Sequence, residues 1–230
     1  MTSSGTPPSS RPPAPPSGVP AAVRAQLLAT EHWSLLATRG MTWSEVMGRI
    51  AVHLTVASAS LVVLALVTQA SGFGTAFKVL SIGLTSAVLV LGTLTGVRVH
   101  NASVDDAELL VGMNRLRAAY LEMDPTLVDY LVTSWHDDLA GVMRTYTMGA
   151  ERRRLSHVVG STSMFMAIVN TIVAGTLGAL VADAAGTGPA VVAVIGALTG
   201  LAYLGVTIEV GRRSFGRPLI EAHFPSAPDS

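Results

Sequence analysis

Cysteine is absent from this 230-residue chain, which removes thiol catalysis, structural disulfides and Cys-ligated zinc together. Charge is scarce as well: 13% of residues are Asp, Glu, Lys or Arg, whereas a soluble domain carries roughly a quarter. The fifteen basic and fifteen acidic residues cancel, so the basic excess that a nucleic-acid partner needs is missing and no such partner is expected. Lysine occurs once, as Lys78. The other basic residues are all Arg, which with the load of Ala, Gly and Val suggests a GC-rich bacterial genome. There is no Walker A loop, Rossmann glycine fingerprint, HExxH or GxSxG elbow. The chain is therefore expected not to be an enzyme, and no cofactor or metal is assigned to it. His136-Asp137-Asp138 offers ligand types, but adjacent helical residues point in different directions.

What the chain has in abundance is apolar surface. Half of the residues are hydrophobic and the mean hydropathy is +0.50, which places it in a lipid bilayer. A helix needs about 20 apolar residues to cross the hydrocarbon core. Four segments qualify, at 50–69, 79–97, 158–182 and 190–210. Short turns join the first to the second (Ser71-Gly72-Phe73-Gly74) and the third to the fourth (183–189, with Gly186, Gly188 and Pro189), so each pair is an antiparallel hairpin. The predicted fold class is all-α: a polytopic membrane protein with four transmembrane helices in two hairpins and a cytoplasmic helical layer.

The organisation along the chain follows. Residues 1–20 hold seven of the twelve prolines and read as a disordered Pro/Ser-rich tail, with no apolar run of the kind a cleaved signal peptide carries. Residues 21–41 read as a cytoplasmic amphipathic helix with Leu27, Leu28, Leu35 and Leu36. The first transmembrane hairpin occupies 42–99, opening on a capping box at Thr42 and Glu45. Residues 100–157 read as a cytoplasmic helical pair. One helix starts near a Ser103/Asp106 box and runs to about Met123, with a seam of Leu109, Met113, Leu116, Tyr120 and Met123. The other starts at Asp124-Pro125, with Val128, Val132, Trp135, Leu139, Val142 and Tyr146. The second hairpin covers 158–211 and a cytoplasmic tail covers 212–230.

Basic residues set the orientation, because cytoplasmic loops are enriched in Lys and Arg. With the N-terminus inside, every Arg lies on the cytoplasmic side and only Lys78 lies outside, so both termini are expected in the cytoplasm. The expected location is the bacterial inner (cell) membrane.

Candidate sites are few. Gly92 and Gly96, and Gly196 and Gly200, form GxxxG pairs that permit close helix packing and suggest a homo-oligomer. Asn170 is the most central polar residue of the spans, suited either to an interhelical hydrogen bond or to lining a pathway. Glu209 has Arg212 and Arg213 at pairing distance along its helix. His53 stands one turn from Arg49 at the mouth of the first span, as a packed or interfacial group or a proton sensor. Arg152, Arg153 and Arg154 are candidates for lipid headgroups of the anionic inner leaflet.

The strings Ala29-Thr30-Glu31-His32-Trp33-Ser34-Leu35-Leu36-Ala37-Thr38-Arg39 and Gly112-Met113-Asn114-Arg115-Leu116-Arg117-Ala118-Ala119-Tyr120-Leu121-Glu122-Met123 resemble a group of actinobacterial integral membrane proteins. That resemblance covers most of the chain after the tail and implies the membrane class but no activity. Hydrophobic hairpin plus cytoplasmic helices is also similar, in architecture alone, to SLATT-type two-span proteins of bacterial conflict systems. The expected function is a non-enzymatic, self-associating membrane protein. The alternatives are an oligomeric channel or pore gated by its cytoplasmic helices, and a transporter or membrane-complex subunit. A cytoplasmic protein partner for the helical layer stays open.

Overall fold

The structure, a computed structural model, describes residues 18–148, 161–215 and 221–226. The described residues form α-helices, one 3-10 helix and connecting segments, with no strand among them. The helices are α1 (Ala21–Ser71), α2 (Thr75–Met123), α3 (Leu139–Thr147), α4 (Thr162–Ala184) and α5 (Pro189–Phe215), with a 3-10 helix at Pro125–Tyr130. Four of them, α1, α2, α4 and α5, are long and apolar enough to cross a membrane, as the composition requires.

The two longest helices depart from the expected boundaries. No helix starts at Thr42 and none ends near Val97, because α1 and α2 run through both positions without a break. At 1.5 Å per residue each is about 75 Å long, more than twice the roughly 30 Å hydrocarbon core. Each therefore continues out of the bilayer, and together they make a two-helix stalk. The capping-box residues sit in the middle of helices, where their backbone amides are already bonded. Their side chains reach sideways instead: Glu45 takes Arg49 and Arg98, and Asp106 takes Arg39 of α1. The shielded residues of α1 explain the continuity. Ala25, Leu28, His32, Leu35, Arg39, Thr42 and Val46 alternate by three and four, and Ile50 and His53 carry the same stripe into the span. One seam thus serves both water and lipid.

The expected second helix of the 100–157 pair forms only in part. Pro125 and the Asp124 side chain, which accepts from the Thr126 amide, start a helix as predicted, but it is a single 3-10 segment. Residues 131–138 then run without regular structure, and α3 starts afresh from Asp138, whose carboxylate accepts from the Gly141 amide. The cause is local competition. Ser134 and Asp138 take the amides of His136 and Gly141 with their side chains in place of helical carbonyls, and Asp137 is drawn to the amides of His223 and Phe224 from the end of the chain. Val132 and Leu139 of the predicted stripe are consequently exposed, while Val142 joins Leu110, Val111 and Met113 in a small core closed by Leu35 and Tyr146.

The spans pack in the order α1, α2, α4, α5, with α2 and α4 inside. Gly72 and Gly186, with φ of 65° and 77°, let the chain reverse at the hairpin tips. Lys78 near one tip pairs with Asp183 near the other at 2.8 Å, so both tips lie at the same end. At the stalk end, Val46, Ile50, Val99, Ala102 and Met166 form a core that ties α1, α2 and α4, with Trp43 against it. Leu61, Leu94, Ile172 and Leu201 point outward, giving the apolar surface that a bilayer covers.

Candidate functional site

The deepest polar group lies where α1, α2 and α4 meet. His53 and Asn170 are each 1% exposed, and both abut Gly92. A Cβ placed on Gly92 would collide with Oδ1 of Asn170 and come within 2.7 Å of Cε1 of His53. Only a residue without a side chain leaves room for both groups. One turn along, a Cβ on Gly96 would stand 3.6 Å from Nδ2 of Asn170, so the amide lies along the Gly92/Gly96 surface. Neither ring nitrogen of His53 nor Oδ1 of Asn170 has a hydrogen-bond partner.

The two GxxxG pairs therefore do different work, both within one chain. Gly92 and Gly96 receive a polar side chain from α4. Gly196 and Gly200 receive its backbone: a Cβ on Gly196 would lie 3.0 Å from the Gly175 carbonyl oxygen, and one on Gly200 3.1 Å from that of Thr171. Glu209 accepts from Nε of Arg213 at 2.7 Å on the surface of α5. Arg152, Arg153 and Arg154 lie outside the described residues.

Just beyond the span, Glu45 of α1 bridges to α2. It accepts from Nη2 of Arg98 at 2.7 Å and from Nε of Arg49 at 2.8 Å, and these two guanidinium groups push its carboxyl down to about 2. Further out, Asp106 of α2 is buried and accepts four hydrogen bonds. Arg39 donates from Nε at 2.6 Å and from Nη2 at 3.3 Å, Trp43 from Nε1 at 2.8 Å and Tyr146 from its hydroxyl at 2.6 Å. Burial pushes the Asp106 carboxyl up, but the bonds from Arg39, Tyr146 and Trp43 outweigh it and hold the group below the usual carboxylate range. One carboxylate thus fastens α1, α2 and α3 together.

A second buried carboxylate, Asp137, fastens the end of the chain. It accepts from Nε of Arg115 at 2.7 Å and from the backbone amides of His223 at 2.9 Å and Phe224 at 2.7 Å. Its own amide donates to the Phe224 carbonyl, Arg115 donates to that of Glu221, and Asp138 accepts from the amide and hydroxyl of Ser226. Residues 221–226 are thereby strapped across 134–138. Beneath them, Asn114 donates to the His136 carbonyl and accepts from Arg117 and Thr145. Burial raises the Asp137 carboxyl, yet Arg115 and the two amides leave it below its ordinary value.

Asp137→Ala removes two amide bonds to a charged acceptor, each of about 1.5–3 kcal/mol. Hydrogen exchange at the His223 and Phe224 amides is expected to quicken by at least about tenfold. Unchanged exchange there would mean that the strap is held by other contacts.

The sequence signalled the buried histidine and asparagine but missed the carboxylates. Asp106 read as part of a Ser103/Asp106 capping box at a helix start. The usable signal was the register: Val99, Ala102, Asp106, Leu110 and Met113 follow one another by three or four, which puts Asp106 on the apolar stripe. Arg39 holds the matching place on α1. No family model, no curated protein and no solved structure matches this chain.

Proposed function

We propose that the chain is a non-enzymatic protein of a bacterial inner membrane, with both termini in the cytoplasm, that self-associates through its helical stalk. The orientation rests on the arginines, which crowd the stalk end of the spans while Lys78 stands alone beside the tips. Arg152, Arg153 and Arg154 fit the same arrangement as contacts to anionic headgroups of the inner leaflet.

The observation that carries self-association is a second stripe on α1, turned away from α2. Val23, Leu27, Thr30, Ser34, Ala37 and Met41 alternate by four and three, contain no charge, and are all exposed; Leu27 is 62% and Met41 74% open to solvent. An uncharged heptad on the outside of a water-facing helix suits a coiled-coil seam with a second copy of itself. The small-residue faces of the spans are occupied within the protomer, which leaves association to the stalk. Asn170 is buried among three spans of one chain, a position that favours a scaffold over a pore lined by that residue.

Native mass measured in nanodiscs tests this. The wild type is expected as a defined oligomer, and Leu27→Glu combined with Met41→Glu is expected to weaken it by at least about tenfold, since like charges on facing stripes repel. A wild type that stays monomeric as concentration rises would end the proposal.

A further inference from the structure

We propose that His53, Asn170 and the bare surface of Gly92 form a proton-binding site just inside the apolar span, with the His53 imidazole as acceptor and Oδ1 of Asn170 receiving its N–H. The site is built from three helices, both side chains are shielded from solvent, and three of their polar atoms lack a partner. A neutral imidazole carries one donor and one acceptor, and Oδ1 is an acceptor only. The two groups meet at Gly92 without a hydrogen bond between them; a turn of either side chain that pairs the ring N–H with Oδ1 satisfies two of the three atoms and leaves one ring nitrogen as a bare acceptor. A proton is the guest that fits it. Binding turns that nitrogen into a second N–H and makes the bond to Asn170 charge-assisted, hence shorter and stronger.

The surroundings oppose permanent charge, so the group responds to pH instead of staying ionised. On α1 the nearest charges are Arg49, one turn away, and Glu45, and these two are paired with each other. On α2 they are Arg98, paired with Glu45 and Asp105, and His100, one turn from Gly96 towards the stalk. On α4 the described part of the helix offers no titratable side chain before Asp183, at the far tip. No carboxylate among the described residues neutralises the imidazolium directly, and Asn170 is the polar group left to steady it.

The site is blind. Arg49 is exposed one turn towards the stalk, which is the side from which a proton enters. Towards the tips, the next buried polar residue of α1 is Ser60, two turns on, and its hydroxyl is donated to the Val56 carbonyl. On α2 the hydroxyl of Ser81, and on α4 those of Thr171 and Thr176, are likewise donated to carbonyls of their own helices, so these hydroxyls are committed to the backbone and the proton binds and leaves by the stalk end.

The test is 15N NMR of the His53 ring in the full chain in nanodiscs, from about pH 8 to about pH 5. His53 is expected to titrate in that window. Asn170→Asp supplies a carboxylate and should raise the midpoint by about one to three units, and Asn170→Leu should lower it. A wild-type ring that stays neutral throughout would overturn the proposal, as would a midpoint that neither variant moves. Proton leak through proteoliposomes is expected to match that of empty liposomes; a leak abolished by His53→Gln would refute the blind site.

Discussion

Asp106→Ala is expected to cost about 3–5 kcal/mol of stability, the range for removing one partner of a buried ion pair. The reason is how many groups converge on this carboxylate. Arg39 can turn partly to water when its acceptor is lost, but the indole N–H of Trp43 and the hydroxyl of Tyr146 belong to half-buried side chains that turn less freely. Each loses a charged acceptor, a hydrogen bond of about 1.5–3 kcal/mol. Asp106→Asn keeps an acceptor and should cost less, about 1–3 kcal/mol. Unfolding by SDS in mixed micelles at neutral pH measures both. The pH dependence gives an independent check. Because the folded state holds this carboxyl below its ordinary value, its contribution is complete above the ordinary aspartate range and disappears as pH falls through the lowered folded value. The wild type should therefore lose stability over that acidic window, and Asp106→Ala should lose less. Equal stability of variant and wild type at neutral pH would show that the fastening of α1, α2 and α3 lies elsewhere.

Asp106 also illustrates which parts of the molecule were readable in advance. Long apolar runs broken by glycine and proline are strong signals, since hydrocarbon admits little except helices and short turns. The four spans and two hairpins follow from them almost directly. The boundaries between span and stalk were not readable, because capping residues mark a helix start only when the preceding chain is not itself helical. Thr42, Glu45, Ser103 and Asp106 have the right chemistry for caps, yet the seams from Ala25 to His53 on α1 and from Val99 to Met113 on α2 make the helix more favourable than a stop. The strap was hidden for a different reason. Asp137 and residues 223–224 are far apart in sequence, and a carboxylate that binds backbone amides leaves no side-chain pattern at the other end. The contact of His53 and Asn170 with one glycine lies between these cases. Each residue stood out alone as a polar group in an apolar run, but their meeting depends on Gly92, whose part looked like that of a generic small-residue face.

The distinction between the two glycine pairs leads to the other large expected effect. A substituent on Gly92 meets the ends of two side chains, and side chains can move aside. On Gly196 it meets the Gly175 carbonyl oxygen at 3.0 Å and the Ala179 Cβ at 3.1 Å, atoms fixed to the rod of α4. Neither can yield without moving a helix. Gly196→Leu is therefore expected to push α4 and α5 apart and to cost at least about 3 kcal/mol, the top of the usual overpacking range. The loss falls on dispersion contact, because lipid gives these helices no hydrophobic reason to stay together. On the same helix, a Cβ added to Gly205 would meet nothing within 4 Å, so Gly205→Leu is the control. It should be neutral or stabilising by up to about 1 kcal/mol, the propensity a helix gains when glycine is replaced. SDS unfolding separates the two substitutions on one scale. Equal effects at Gly196 and Gly205 would mean that α5 is held by something other than close backbone approach; the Thr93 and Tyr203 hydroxyls, 3.0 Å apart between α2 and α5, would be the first place to look.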